Sequence, residues 1–298
     1  MKLGKRLSML AALVLLVGTL AVPAGAAGEV VGQNETLLTA MNGPGARGEE
    51  CTLGDAAADA LRDYAGTDIA VLPGGVFAFN LLGGDVTEED VRLIFPEDDA
   101  LGAAEITGAQ LWDMLERSVS AVTVGENDRV DWDSSLSDGF LQVSGFSFRF
   151  DASDPPGARV AEVTLDDGRE ISVGDSETVL TAASTAALLA GGCGYDAVDY
   201  SPLELTLPEA FIRYIAGQNG ALVRPELSRI GMFGTADSAF LNGVGSSAVL
   251  FLACAGAIAL IGALTFGRSP AWKALKNRVM PETEEEKEST LNRFMKRR

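Results

Sequence analysis

The chain has 298 residues, 47% of them hydrophobic and 22% charged, so it holds enough apolar material for a folded core and is too apolar for a disordered chain. It carries 42 Asp+Glu against 23 Lys+Arg, a formal net charge of −19, and no histidine. The missing imidazole excludes a Ser-His-Asp triad, a His-based zinc site and a His general base, and the acidity argues against nucleic acid, whose phosphates it repels.

Lys2, Lys5 and Arg6 precede an apolar run of 14 residues from Met9 to Val22, and Ala24-Gly25-Ala26 has the form of a cleavage site. Residues 1–26 therefore read as an export signal, with an uncleaved anchor as the other reading. Residues 27–46 are polar and Gly-rich and read as a linker. Thr52 is placed to cap a helix running to about Tyr64, with Leu53, Ala56, Ala57, Ala60 and Leu61 on one face. Asp68 to Leu72 reads as a buried strand that Pro73-Gly74-Gly75 turns. Thr87 before Glu88, Glu89 and Asp90 is a capped helix start with acids at the positive end of the dipole. Thr107 caps a second helix through Leu111, Met114, Leu115 and Val119.

Phe140 to Phe150 alternates as one strand, and Arg159 to Leu165 reads as another that Asp166-Asp167-Gly168 turns into Glu170 to Val173. Thr178 to Ala183 is a strand, Gly191-Gly192 ends the short helix behind it, and a last helix covers Pro208 to Ala216. Hairpins and crossovers together predict one compact α/β (mixed α+β) domain over 47–217, with an extension at 218–245.

Ser246 to Phe266 has no charge over 21 residues. As a helix it would reach roughly 31 Å, the thickness of a bilayer core, and a buried core helix is the other reading. Arg268, Lys273, Lys276 and Arg278 follow, which places 267–298 in the cytoplasm as a tail able to touch anionic lipid heads. The expectation is a single-pass protein of a bacterial cell membrane with residues 27–245 outside. Those residues carry 37 acids and 11 arginines, a net charge of −26. Solubility of an exported domain accounts for that charge, with specific metal binding as the other reading; the acid runs lack the spacing of a 12-residue calcium loop, and no metal or cofactor is expected. Of the three cysteines, Cys51 and Cys193 lie outside and permit one disulfide, while Cys254 falls in the span.

Six ordered strings resemble the C-terminal domain of the 5′-nucleotidase and UDP-sugar hydrolase family. They are Arg47-Gly48-Glu49-Glu50-Cys51-Thr52-Leu53-Gly54-Asp55, Asp68-Ile69-Ala70-Val71-Leu72-Pro73-Gly74-Gly75 and Gly84-Asp85-Val86-Thr87-Glu88-Glu89-Asp90-Val91. Ile106-Thr107-Gly108-Ala109-Gln110-Leu111, Phe140-Leu141-Gln142-Val143-Ser144-Gly145 and Ala190-Gly191-Gly192-Cys193-Gly194-Tyr195 complete the set. The resemblance implies a domain that binds the nucleoside part of a substrate. In the family it is paired with a metallophosphoesterase domain that holds two metals with His, Asp and Asn. The expectation is that this first domain is absent here, so that the chain alone has no catalytic residue for the family's hydrolysis.

The positions that the resemblance assigns to substrate are mostly altered. An arginine closing the loop "NGGGIR" is replaced in Leu72-Pro73-Gly74-Gly75-Val76-Phe77 by Phe77. The base-stacking ring of "PFGN" is replaced by Glu97 in Pro96-Glu97-Asp98-Asp99, where Glu97, Asp98 and Asp99 would repel phosphate. A second stacking phenylalanine is Ala187, and the ribose-holding aspartate of "GGDGY" is Cys193. Arg47 alone stays a substrate-contacting candidate. Two lost base stacks at about 1–3 kcal/mol each, plus a lost charged contact, leave a nucleotide site erased. The rival reading is a pocket of Phe77, Phe79 and Tyr195 for an uncharged, nucleoside-like ligand. Because Cys51 and Cys193 flank the cleft in the family, the resemblance also suggests a disulfide across it, with two unpaired cysteines as the other reading.

The function expected is a non-catalytic binding or scaffold module, docked to a separate metallophosphoesterase, to another envelope protein or to the cell wall. The alternatives are a subunit of a nucleotide-hydrolysing complex completed in trans, or a receptor for a small extracellular ligand.

Overall fold

The computed structural model describes residues 28–218 and 221–235. The segments read as export signal, membrane span and cytoplasmic tail lie outside the described residues.

In chain order the elements are β1 (Val30–Asn34), α1 (Thr52–Ala65), β2 (Ile69–Pro73), β3 (Gly84–Thr87), α2 (Glu88–Ile94), β4 (Ala100–Thr107), α3 (Gly108–Val119) and α4 (Trp132–Ser135). They continue with β5 (Leu141–Ser144), β6 (Phe146–Asp151), β7 (Val160–Leu165), β8 (Val179–Thr185), α5 (Ala186–Leu189), β9 (Tyr200–Thr206), α6 (Leu207–Gly217), β10 (Ala221–Leu222) and β11 (Ile230–Phe233). A five-stranded sheet ordered β5-β2-β8-β4-β9 carries the fold, beside two three-stranded sheets, β10-β1-β3 and β11-β6-β7. β2 and β8 run parallel, whereas β5 and β4 run antiparallel to them.

β2 is buried at all five positions, and its period of two sends its side chains into different cores. Ile69 and Val71 join Leu111, Leu115, Phe146 and Phe148 on one face. Ala70 and Leu72 join Leu53, Phe77, Phe95 and Phe211 on the other. The helix starts follow local chemistry: Thr87 and Thr107 each make a reciprocal capping box, with Asp90 and Gln110.

The structure corrects three expectations. First, residues 30–46 are part of the domain: β1 pairs with β3 and β10, and Leu38, Ala40 and Ala46 are buried. Second, Phe140–Phe150 is two strands in different sheets. Gly145 separates them at φ +90°, and a Cβ there would lie 2.3 Å from the Asp68 carbonyl oxygen, so only glycine allows the turn. Third, Cys51 and not Thr52 caps α1. The Cys51 Sγ accepts from the Gly54 N–H at 3.3 Å, while the Thr52 hydroxyl accepts from the Thr39 N–H at 2.9 Å.

The domain also continues past residue 217, because a charged clamp holds β11. The Glu50 carboxylate accepts from the N–H groups of Ser228, Arg229 and Ile230 at 2.9, 2.8 and 3.0 Å. The Arg229 guanidinium grips both oxygens of Asp59 at 2.8 and 2.9 Å and donates to the Val143 carbonyl at 2.8 Å. Asp55, fully buried, lies 3.9 Å from Arg229, beyond hydrogen-bond reach of a guanidinium already committed to Asp59. Desolvation therefore wins over that attraction, and burial, with Glu50 nearby, pushes the Asp55 carboxyl up to about 9.

A carboxyl raised in the fold binds a proton that the unfolded chain releases, so its contribution to stability falls as pH rises from the ordinary carboxylate range toward 9. The melting temperature of the wild type is expected to fall between about pH 5 and 8 more steeply than that of Asp55→Asn, which has no proton to lose. Calorimetry of both proteins across that range checks it; parallel slopes would refute it.

Candidate functional site

Parallel pairing of β2 with β8 brings their carboxyl ends to one edge of the sheet, and the flanking antiparallel strands begin there. Pro73 ends β2 opposite Leu141, the first residue of β5. Leu101, near the start of β4, sits opposite Thr185 at the end of β8. The loop after Pro73, the start of α5 after Thr185 and the loops before Ala100 and Leu141 thus share one rim. This is the place where open α/β sheets bind ligands.

The centre of the rim is tightly built. Gly74 donates its N–H to the Phe140 carbonyl at 2.7 Å, and a Cβ on it would fall 2.0 Å from the Ala46 carbonyl oxygen. Gly75 donates to the Asp138 carbonyl at 2.9 Å, and Ser137 to the Arg47 carbonyl at 2.9 Å. Gln142, buried in β5, stitches the preceding segment down. Its Nε2 donates to the carbonyls of Ala46 and Glu49 at 3.1 and 2.8 Å, and its Oε1 accepts from the Cys51 N–H at 3.0 Å. Arg47 is thereby held over the glycine loop, where its Nε meets Asp138 Oδ1 at 2.6 Å. Both side chains are partly open to water, so the pair adds at most about 1 kcal/mol to stability; its effect is to set a carboxylate beside the arginine.

Cys193 closes the other side. It takes a left-handed conformation at φ +54°, and its carbonyl accepts from Arg117 Nη2 and Nε at 2.6 and 3.1 Å. Its Cβ lies 3.1 Å from where a Cβ on Gly139 would be, and the Tyr195 hydroxyl donates to the Gly139 carbonyl. Partial burial raises the Cys193 thiol, Asp138 adds to the rise, and Arg117 opposes it. Arg47, Gly74, Gly75 and Cys193 are therefore brought together.

The other expected site residues are not. Phe77 is 1% exposed and packs on Phe95 at 5.5 Å between ring centroids, with Phe95 on Phe211 at 5.5 Å, so it is a core residue. Phe79 is exposed and Tyr195 buried, so the three rings form no common pocket. Glu97 is exposed on its loop and Ala187 on α5, and Asp99, half-buried, has its carboxyl raised by burial and by Glu97.

The disulfide suggested for Cys51 and Cys193 is not formed: both are free. The Cys51 Sγ is occupied with capping α1 and donating to Gln142 Oε1 at 3.4 Å, buried beneath the segment that carries Arg47. Burial, together with the nearby acids, pushes the Cys51 thiol up to about 12. Sequence reasoning passed over Asp138, Gln142 and Arg117. Only Gln142 had a visible signal, an amide within an otherwise apolar strand.

Elsewhere, a depression of about 310 Å³ opens at the opposite end of β2, beside Arg62, Asp68 and Arg169. Its arginines are already paired with Asp166 and Asp167. Among the described residues no group of three or more His, Cys, Asp or Glu is placed to hold a metal ion, and no helix is long and apolar enough to cross a membrane.

Fold and rim define a mixed-sheet α/β domain, and the described residues contain no metallophosphoesterase domain. The family model for the 5′-nucleotidase C-terminal domain matches residues 30–200, and the chain belongs to that family. It is 30% identical over 155 residues to the trifunctional nucleotide phosphoesterase protein YfkN of Bacillus subtilis (strain 168), covering 50% of this chain and 10% of that one. It is 28% identical over 153 residues to an apyrase of Aedes aegypti, covering 49% and 25%. The chain thus spans a quarter or less of these curated relatives. The 5′-nucleotidase precursor of Thermus thermophilus shares the fold at a TM-score of 0.60 and 23% identity, covering 76% of this chain and 43% of that one.

Maleimide labelling with peptide mapping is expected to modify Cys193 in the folded protein and Cys51 only after denaturation. A Cys51–Cys193 linked peptide under non-reducing conditions would overturn the assignment.

Proposed function

We propose that the chain is a membrane-anchored, outward-facing binding or scaffold module without catalysis of its own, built on the nucleotide-recognition lobe of the 5′-nucleotidases. One observation carries the reading: at the rim where this fold binds ligands, the residue at the expected guanidinium position is a ring buried in the core. Phe77 lies against Phe95, and the remaining arginine, Arg47, is held by Asp138 at 2.6 Å.

Three further features support it. Ala187 offers no ring and Cys193 no carboxylate where the resemblance places a base stack and a ribose contact. Exposed Glu97 sets negative charge on the same rim, with the half-buried Asp99 beside it, while Asp98 pairs with Arg92 at 3.1 Å. A site without those stacking surfaces, and with its Arg47 set against a carboxylate, lacks terms that hold a nucleotide. Membrane anchoring rests on the uncharged run 246–266 and the basic residues behind it.

Thermal-shift titration with adenosine, AMP and a UDP-sugar at up to millimolar concentration is expected to leave the melting temperature unchanged. Saturable stabilisation by any of the three, or release of phosphate from AMP by the purified chain with divalent metal, would overturn the proposal.

A further inference from the structure

We propose that the exposed apolar strip of Leu37, Met41, Phe79 and Leu82 is a docking surface for a separate polypeptide that offers an apolar centre ringed by lysine and arginine. The strip follows from backbone pairing. Leu38 and Leu81 exchange both backbone hydrogen bonds, at 2.9 and 3.0 Å, so they stand directly opposite each other. Both side chains go inward, at 0% and 3% exposed. Their neighbours Leu37 and Leu82 are consequently turned to the other face, at 40% and 71% exposed.

Asn80 extends the strip. Its Oδ1 accepts from the N–H groups of Ala40 and Met41 at 2.8 Å each, so the segment that carries exposed Met41 is tied to the one that carries exposed Phe79. Asn34, itself buried, donates to the Leu82 carbonyl at 3.0 Å. Exposed apolar residues scattered singly need no explanation, whereas four on two segments clamped to each other concentrate apolar surface of the kind that marks an interaction site. Being already held in place, the patch loses little conformational freedom on binding.

Charge decides the occupant. Exposed Glu35 and Asp85 flank the strip. The 36 acids and 11 arginines of the described residues give the surrounding domain a net charge of −25. A second copy of this chain, or an anionic bilayer, would bring like charge against that rim, whereas a basic-rimmed protein surface is drawn to it. Phe79 is two residues beyond Phe77, and the Ala78 N–H bonds the Ile94 carbonyl at 2.9 Å, so the occupant would sit beside the cleft rim. The inference rests on the reading of the chain as a binding module, but its test reads the strip and not the cleft.

The test places p-benzoylphenylalanine at position 79 or 82 of the full chain, irradiated in its own membranes, with position 173 as control because Val173 is 73% exposed on another loop. Positions 79 and 82 are expected to give an adduct with another polypeptide, linked through a Lys/Arg-flanked apolar peptide, and position 173 none. The yield should fall about fivefold or more between roughly 0.1 and 1 M NaCl. Leu82→Asp should remove the adduct from position 79 while leaving the melting temperature in place. Adducts only with lipid or with a second copy, no adduct at all, equal yield from position 173, or a yield indifferent to salt would each overturn the proposal.

Discussion

The structure depends on one constraint, the burial of β2 on both faces between β5 and β8. Each fully buried Ile or Leu is worth about 1.5–3 kcal/mol, and Ile69 and Leu72 face opposite cores, so a slip of one residue would exchange both sets at once. That fixed register puts Pro73 at the sheet's edge and aims the glycine loop at Ala46 and Asp138. The cleft is a consequence of this register: its loops are the four chain ends that the parallel pair and its antiparallel flanks deliver to one rim.

Within that rim the chemistry has moved inward. A phenylalanine at position 77 contributes to the aromatic core of Phe95 and Phe211, which a guanidinium could not do without heavy desolvation. The arginine that stays at the surface is matched with a carboxylate, and the left-handed turn at Cys193 is held by Arg117 through its carbonyl. Both arginines thus spend hydrogen-bond donors or charge on the protein's own groups. The rim keeps its backbone frame, with Gln142 tying Arg47's segment to β5.

Much of the fold was legible from local signals. Thr87 and Thr107 announced helix starts because a hydroxyl followed three residues later by Asp or Gln closes a box within one turn. Leu53, Ala56, Ala57, Ala60 and Leu61 announced a buried helical face by spacing alone. Residues 30–46 were unreadable because a polar, Gly-rich segment becomes β1 only when β3 and β10, far along the chain, lie beside it. The division of 140–150 was hidden because its apolar alternation runs through Gly145 undisturbed, and only the approach of the Asp68 carbonyl demands a turn there. β11 escaped notice for a similar reason, since its partner is β6 and its anchor is Glu50, both remote in sequence.

The amino-acid sequence by itself determined the family, the order of its capped helices and buried strands, and the absence of any histidine for metal or base chemistry. Each of these follows from residue identity and spacing over a few turns of chain. Only the tertiary structure decided that Phe77 belongs to the core, that Asp138 claims Arg47, that Cys51 caps a helix while Cys193 stays free, and that Leu37 and Leu82 share an outward face. Those outcomes depend on which distant backbone groups meet, and burial and pairing energies act across space and not along the sequence.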